Sequence, residues 1–416
     1  MDPYALPESE LSPIFLNEWR DLFDYKTATT RTRLKRRKRG YWRLLRKSKI
    51  ATPLSSAAQK GELGSVTANI ALDAIRRYLG FLCKPRTDGG LGIAKSDVMT
   101  LAWLAVPDAV NAFLEFMTQR SDGIVHWGQR GFASFVCSLT SKEYGFLTQQ
   151  PHFIERLNIP IVHGSFQEMC AETHEIASEW RCKAANFSRN PEEPIRGLLA
   201  LEEPLAPLLR AIAKLDSAAA ESLPGSVDEA VHKRDALLLT ILTANPLRRR
   251  NLMLMTYFED GSGNLYRRED GWRLRYEPSD FKNERGAASG PYDVPLPPDA
   301  SWRIEEYLDE FRPRLLQHNP DAPWVMPSRR STLWQSLTKQ VEKITRRFVA
   351  ETPGFGPHAV RHLVATDYLR KHPNDYPTVA QLLNDRLETV IAEYAHLKHD
   401  DSFGRWQEHL RAIPKN

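Results

Sequence analysis

The chain has 416 residues with 42% hydrophobic and 10% aromatic content, so it is long enough for two or three domains with real cores. Its longest apolar runs, near Leu101–Val106 and Ala236–Leu239, are far short of a membrane span, and the acidic start MDPYALPESE places no apolar stretch behind a basic region. The net charge of +5 is unevenly spread: residues 25–61 hold six lysines, seven arginines and no acidic residue, leaving the rest of the chain at −8.

These features predict a soluble, cytoplasmic protein without membrane contact whose basic segment supplies long-range attraction to a polyanion. Cys83, Cys137, Cys170 and Cys182 are scattered with no C-x-x-C pair, so neither a zinc site nor a disulfide framework is indicated, and buried thiols are expected.

In chain order, residues 1–24 mix acidic and apolar side chains (Phe15, Leu16, Trp19, Leu22, Phe23) and fit a short helix. The run Arg31–Lys49, RTRLKRRKRGYWRLLRKSK, reads as a DNA-binding arm in which Arg31, Arg33, Lys35, Arg36, Arg37, Lys38, Arg39 and Arg43 meet phosphates while Tyr41 and Trp42 lie against sugar or base. A solvated basic tail or a targeting signal would have the same composition. Residues 62–150 look helical throughout: Val66, Ile70, Ala74 and Tyr78 step by four, Val110, Phe113, Leu114 and Met117 keep a helical period, and so do Trp127, Gly131, Phe135 and Leu139. A compact helical unit is the natural result. From Pro151 to Leu223 the chain is polar-helical and punctuated by Pro191, Pro194, Pro204 and Pro207, which places an interdomain linker there.

The last part is expected to begin near residue 226. Ala236–Ala244 is a buried helix, Asn245-Pro246 turns the chain, and Trp272, Leu274 and Tyr276 alternate as Tyr292, Val294 and Leu296 do, giving two strands joined by a loop that carries Lys282. Pro357 suits the first position of a helix that sets His358 and Arg361 on one face of its first turn, where free N–H groups and the positive dipole end favour an anion. Thr378 and Thr389 are candidate caps for two further helices, the second aligning Val390, Tyr394 and Leu397.

The segment HAVRH (358–362), the Leu382-Leu383 pair and the lone Tyr394 downstream resemble the C-terminal half of the tyrosine recombinase (phage integrase) catalytic domain. Residues 235–257, DALLLTILTANPLRRRNLMLMTY, resemble the apolar helix, turn and Arg that open the same domain, with Arg248 in the place of the first catalytic arginine. The resemblance implies a mainly α fold with a small β-hairpin or sheet in the C-terminal domain. It divides the chain into an N-terminal segment with a basic arm (1–61), a helical core-binding domain and linker (62–225) and an α+β catalytic domain (226–416).

It also implies a nucleoid-associated enzyme, working as a homotetramer on paired double-stranded DNA sites and associated with a mobile element. No cofactor or ATP is required. No carboxylate or histidine cluster at metal-ligand spacing lies near the motifs, so arginines must do the electrostatic work. Arg248 and Arg361 would hold the nonbridging phosphate oxygens, and His358 would add a hydrogen bond or help deprotonate the nucleophile. Lys282, matching the family's hairpin lysine, would protonate the leaving 5′ oxygen, and Tyr394 would attack to form a 3′-phosphotyrosyl bond. As a plain turn residue Lys282 would simply be solvated, and the alternative for Tyr394, which shares a face with Val390 and Leu397, is packing in the core.

Asp385 departs from the pattern. The family places a histidine or tryptophan there to contact the phosphate, and a carboxylate would be repelled unless protonated or turned to accept from Arg361, Arg248 or Tyr394. Two alternatives therefore stand beside the recombinase reading: a type IB topoisomerase-like nicking-closing enzyme, and a recombinase-like DNA-binding protein whose site has decayed.

Overall fold

Ser12 accepts a hydrogen bond from the Phe15 amide at 3.1 Å and Pro13 occupies the first turn, which starts helix α1 (Pro13–Thr27) with Phe15, Trp19, Leu22 and Phe23 on its buried side. The structure, a computed structural model, describes residues 4–37, 40–50, 52–158, 164–184, 192–281, 290–350, 352–394, 406–407 and 409–413. Two compact units divide the chain at Arg189/Asn190. Helices dominate both, and each holds one small antiparallel sheet. Among the described residues no helix is long and apolar enough to cross a membrane.

In the first unit, strands β1 (Leu45–Arg46), β2 (Gln59–Lys60) and β3 (Leu63–Gly64) form a sheet of order β1-β3-β2. Helices α2 (Val66–Cys83), α3 (Pro107–Gln119), α4 (Trp127–Thr140) and α5 (Phe166–Lys183) follow. Ser65 and Ser165 cap α2 and α5 by accepting from the Ala68 and Glu168 amides. The aromatic centre is Tyr78, whose ring lies 5.3 Å from Phe113 and 5.4 Å from Phe132.

The helices lie where their periods predict, but two turn a different face inward. On α2 the buried stripe runs through Ala68, Leu72, Ile75, Tyr78 and Leu79, leaving Ile70 61% exposed. On α4 Phe132, Ala133 and Val136 are buried while Trp127 is 55% exposed. Both helices carry apolar residues on more than one side, so spacing alone offers two stripes and packing selects one. Of the cysteines expected to be buried, Cys137 and Cys170 are; Cys83 is half-buried and Cys182 exposed.

The second unit contains α6 (Arg196–Leu199), α7 (Ala206–Ala220), α8 (Val227–Ala244) and α9 (Arg249–Leu254). Strands β4 (Leu265–Arg268), β5 (Gly271–Tyr276) and β6 (Tyr292–Pro295) come next, then α10 (Ser301–Glu306), α11 (Arg312–Leu315), α12 (Leu337–Phe348), α13 (Pro357–Lys371), α14 (Tyr376–Leu383) and α15 (Leu387–Tyr394). Helix α7, which falls within the expected linker, packs on α8 and α12 and buries Leu208, Ala211, Leu215 and Ala219, and its Asp216 accepts from the two Arg303 Nη atoms at 2.6 and 2.7 Å. That apolar face is the physical reason the second unit begins upstream of residue 226.

The two expected strands pair antiparallel with Tyr276 opposite Tyr292 and bury Trp272, Leu274 and Tyr276 on one face. A third strand, β4, pairs with β5; its sequence Leu-Tyr-Arg-Arg does not alternate and leaves no sequence signal. Asp375, rather than Thr378, caps α14 by accepting from the Thr378 amide, and Thr389 lies inside α15 rather than ahead of it. Helix α13 is buried on nearly all sides, through Ala359, Val360, Leu363, Val364, Ala365 and Leu369, so any polar side chain on it must find partners.

Candidate active site

The turn after α8 brings up the first arginine. Asn245 and Pro246 end the helix, and Arg248 takes an extended conformation (φ −69°, ψ 148°) at the start of α9. Its Nη2 lies 2.7 Å from each oxygen of Asp385, and its Nη1 is 3.4 Å from the Asn384 carbonyl.

The second arginine comes from α13, which begins at Pro357 as its sequence predicts. Arg361 is 5% exposed, donates to the carbonyls of Pro246 and Leu383 (the latter at 2.8 Å), and places Nη2 3.1 Å from Asp385 Oδ2. Burial, with Arg248 adding to it, pushes the Arg361 guanidinium down to about 10. Two arginines distant in sequence therefore meet at one anionic group, the alternative in which Asp385 turns to accept from both. Asn384 at φ 47° makes the left-handed turn between α14 and α15 that aims Asp385 at them.

Tyr394 ends α15. It is 3% exposed and packs with Leu369, Leu383 and Val390. Its hydroxyl lies 3.2 Å from Nδ1 of His362, whose ring centroid is 5.5 Å from that of Tyr394. Burial, reinforced by Glu393, holds the phenol well above its ordinary pKa, so the resting hydroxyl is protonated.

His358, the histidine expected to assist the nucleophile, is solvent-exposed and lies one turn before His362, with ring centroids 4.8 Å apart and nearly perpendicular. Partial desolvation, followed by the charges of Arg361 and Arg248, lowers its pKa. His362 carries no expectation from the sequence. The signal for it is its place four residues after His358, on the same side of a helix that buries nearly every residue.

Lys282 lies outside the described residues. Of the other tyrosines near the motifs, Tyr368 donates to Asp375 at 2.8 Å and Tyr376 is buried.

In the first unit the basic run packs onto the fold. The Tyr25 hydroxyl lies 2.8 Å from the Lys35 carbonyl and 2.7 Å from that of Tyr144, and the Lys35 amide donates to Gln149 at 2.7 Å. Trp42 is 7% exposed, stacks on Phe135 and lies 5.6 Å from Trp19, so it cannot also lie against a sugar or base; Tyr41, 45% exposed, can. Arg31, Arg33, Lys35 and Arg37 are exposed, Arg36 and Arg43 are half-buried, and Lys38 and Arg39 lie outside the described residues.

Comparison with protein-family models and with curated proteins finds no match. Among solved structures the chain is similar to XerA recombinase, at 13% identity over 84% of this chain and 92% of that one, with a TM-score of 0.32. It is similar also to XerH site-specific recombinase bound to its difH substrate before cleavage, at 15% identity, 84% and 98% coverage and a TM-score of 0.37. The post-cleavage complex of XerH on palindromic difH gives 15% identity, 86% and 98% coverage and the same TM-score.

Proposed function

We propose that this protein is a DNA strand transferase of the tyrosine recombinase type, cutting and rejoining strands through a 3′-phosphotyrosyl intermediate. The observation that carries the reading is the meeting of Arg248 and Arg361 at one carboxylate, on the same assembly of helices that buries Tyr394. Two guanidiniums held in a fork suit the two nonbridging oxygens of a phosphodiester.

In the reaction, the scissile phosphate displaces Asp385 from the arginines, which then hold the charge that builds in the transition state. Tyr394 loses its phenolic proton, with His362 as the first acceptor, and forms the new O–P bond as the bond to the 5′ oxygen breaks. Lys282 is the proposed source of the proton that oxygen takes up. Assembly as a homotetramer on paired sites, within a mobile element, belongs to the same proposal.

The Asp385 ion pairs favour one other reading, in which the site has decayed and the protein only binds DNA. Incubation with fragmented genomic and random-sequence duplex, followed by denaturation and mapping of covalently attached peptide, separates the two. An adduct on Tyr394 supports strand transfer; binding without any adduct supports the decayed site.

A further inference from the structure

The fold of the basic segment leaves three cations around one recess in the first unit. Lys26, Arg36 and Arg37 line a cavity of about 130 Å3 together with Tyr25, Tyr41, Ser138 and Tyr144, and no carboxylate lines it among the described residues. That volume corresponds to roughly four waters of bulk liquid, room enough for a tetrahedral anion.

Each cation is held in place by uncharged partners. Lys26 Nζ donates to Ser138 Oγ at 2.9 Å, and Arg36 donates to the carbonyls of Thr30 and Asp24 at 2.9 and 3.2 Å. Arg36 also lies over the Tyr25 ring at 5.4 Å, and Arg37 over the Tyr144 ring at 5.6 Å. Asp24 turns its carboxylate to Lys60 and Thr29 instead. The Arg36 Nε is buried with no acceptor among the described residues.

An assembly of like charges with a donor left over is stabilised when an anion completes it. The strain is visible at Lys26, where burial and then Arg37 push the ammonium down to about 8. The walls are preformed: the Tyr25 hydroxyl lies within hydrogen-bond reach of both the Lys35 and the Tyr144 carbonyl, and the Lys35 amide donates to Gln149.

We infer that Lys26, Arg36 and Arg37 form a built seat for a backbone phosphodiester of DNA, separate in chemistry and in residues from the catalytic arginines. The inference rests on the DNA-binding half of the proposed function and is independent of strand transfer. The seat binds one phosphate at a fixed place in the fold, where the exposed Arg31 and Arg33 would meet several loosely.

The test uses the full chain and a 20-bp duplex of arbitrary sequence, with affinity followed against salt. Lys26→Met keeps the buried stem and removes the charge, and Arg37→Gln changes an exposed side chain that carries no structural hydrogen bond among the described residues. Each is expected to flatten the log–log salt slope by about 0.9, the value for one lost phosphate contact, with thermal unfolding unchanged for Arg37→Gln. An unchanged slope in both variants overturns the inference.

A second arm follows acetylation of Lys26 at pH 8, where its lowered pKa leaves more of its amine neutral and reactive than in an ordinary lysine. Protection by duplex, with or without protection by sulfate, supports the seat; protection by sulfate alone, or by neither, overturns it. A wild-type chain that forms no Tyr394 adduct yet passes both arms loses the strand-transfer reading and keeps the phosphate seat. One that forms the adduct and fails both arms does the reverse.

Discussion

Both oxygens of Asp385 lie 2.7 Å from Nη2 of Arg248, and one of them lies 3.1 Å from Nη2 of Arg361. A carboxylate thus occupies the place where the strand-transfer reading puts two phosphate oxygens. The arrangement keeps a buried arginine paired, and on the strand-transfer reading it sets up a competition with an incoming phosphate.

That competition can be measured. Asp385→Asn removes the charge at nearly constant volume and is expected to destabilise the second unit by about 1–3 kcal/mol, because Arg361 stays buried with only carbonyl acceptors. Added sulfate should restore much of the loss in the variant and little in wild type. Thermal unfolding against sulfate concentration reads this directly, and an equal response in both proteins would mean that the arginines do not form an anion seat. Asp385→His, which returns a donor to the position, is expected to keep or raise covalent attachment to DNA.

Tyr394→Phe removes one oxygen and leaves the ring to pack with Leu369, Leu383 and Val390. The fold should survive at a cost of about 1 kcal/mol, the worth of the lost hydrogen bond to His362. Duplex binding should persist, while no covalent adduct should form, since phenylalanine offers no nucleophile. An adduct surviving in this variant, or mapping to Tyr368 or Tyr376, would refute the assignment of the nucleophile.

The two histidines separate by experiment. His362→Gln is expected to slow adduct formation by about 10²-fold or more, because its ring is the partner of the phenolic hydroxyl. His358→Gln should alter the reaction differently, weakening the hold on the phosphate while leaving the pH dependence of the attack as in wild type. The check is single-turnover cleavage against pH in both variants; identical profiles would remove His362 from the mechanism.

His358 also predicts a pH effect on stability. Its folded pKa lies below the ordinary value of 6.5, so the unfolded chain binds more protons in the window between the two values. The contribution is therefore fully present above pH 6.5 and is lost as pH falls through the folded pKa. In His358→Gln the drop in melting temperature between pH 7.5 and 5.5 should be smaller than in wild type, and a drop of the same size would show that other groups account for it.

Trp42→Ala and Tyr41→Ala test the packed character of the basic segment. The first empties a site between Trp19 and Phe135 and should cost about 3–5 kcal/mol. The second changes an exposed ring and should leave stability within about 0.5 kcal/mol while weakening duplex binding. Melting curves of the two variants distinguish this from a free arm, in which both would be neutral.

Local chemistry was legible in the sequence wherever one residue's own geometry decides the outcome. Pro357 starts a helix because its missing N–H is no loss there, and the alternation of Trp272, Leu274 and Tyr276 makes a strand with one buried face. The same local logic placed Arg248 after its turn and Arg361 on the first turn of α13. What the tertiary structure alone decided involves partners far apart in the chain. Which stripe of α2 and α4 turns inward, that Trp42 is core, that α7 belongs with α8, and that Asp385 faces two arginines all depend on surfaces that come together only on folding. His362 belongs to both kinds: its identity stands in the segment HAVRH, but its contact with the Tyr394 hydroxyl comes from another helix. Periodicity and spacing record how a segment meets its own neighbours along the chain, whereas burial and charge pairing are settled by the free energy of excluding water between segments, which no single segment encodes.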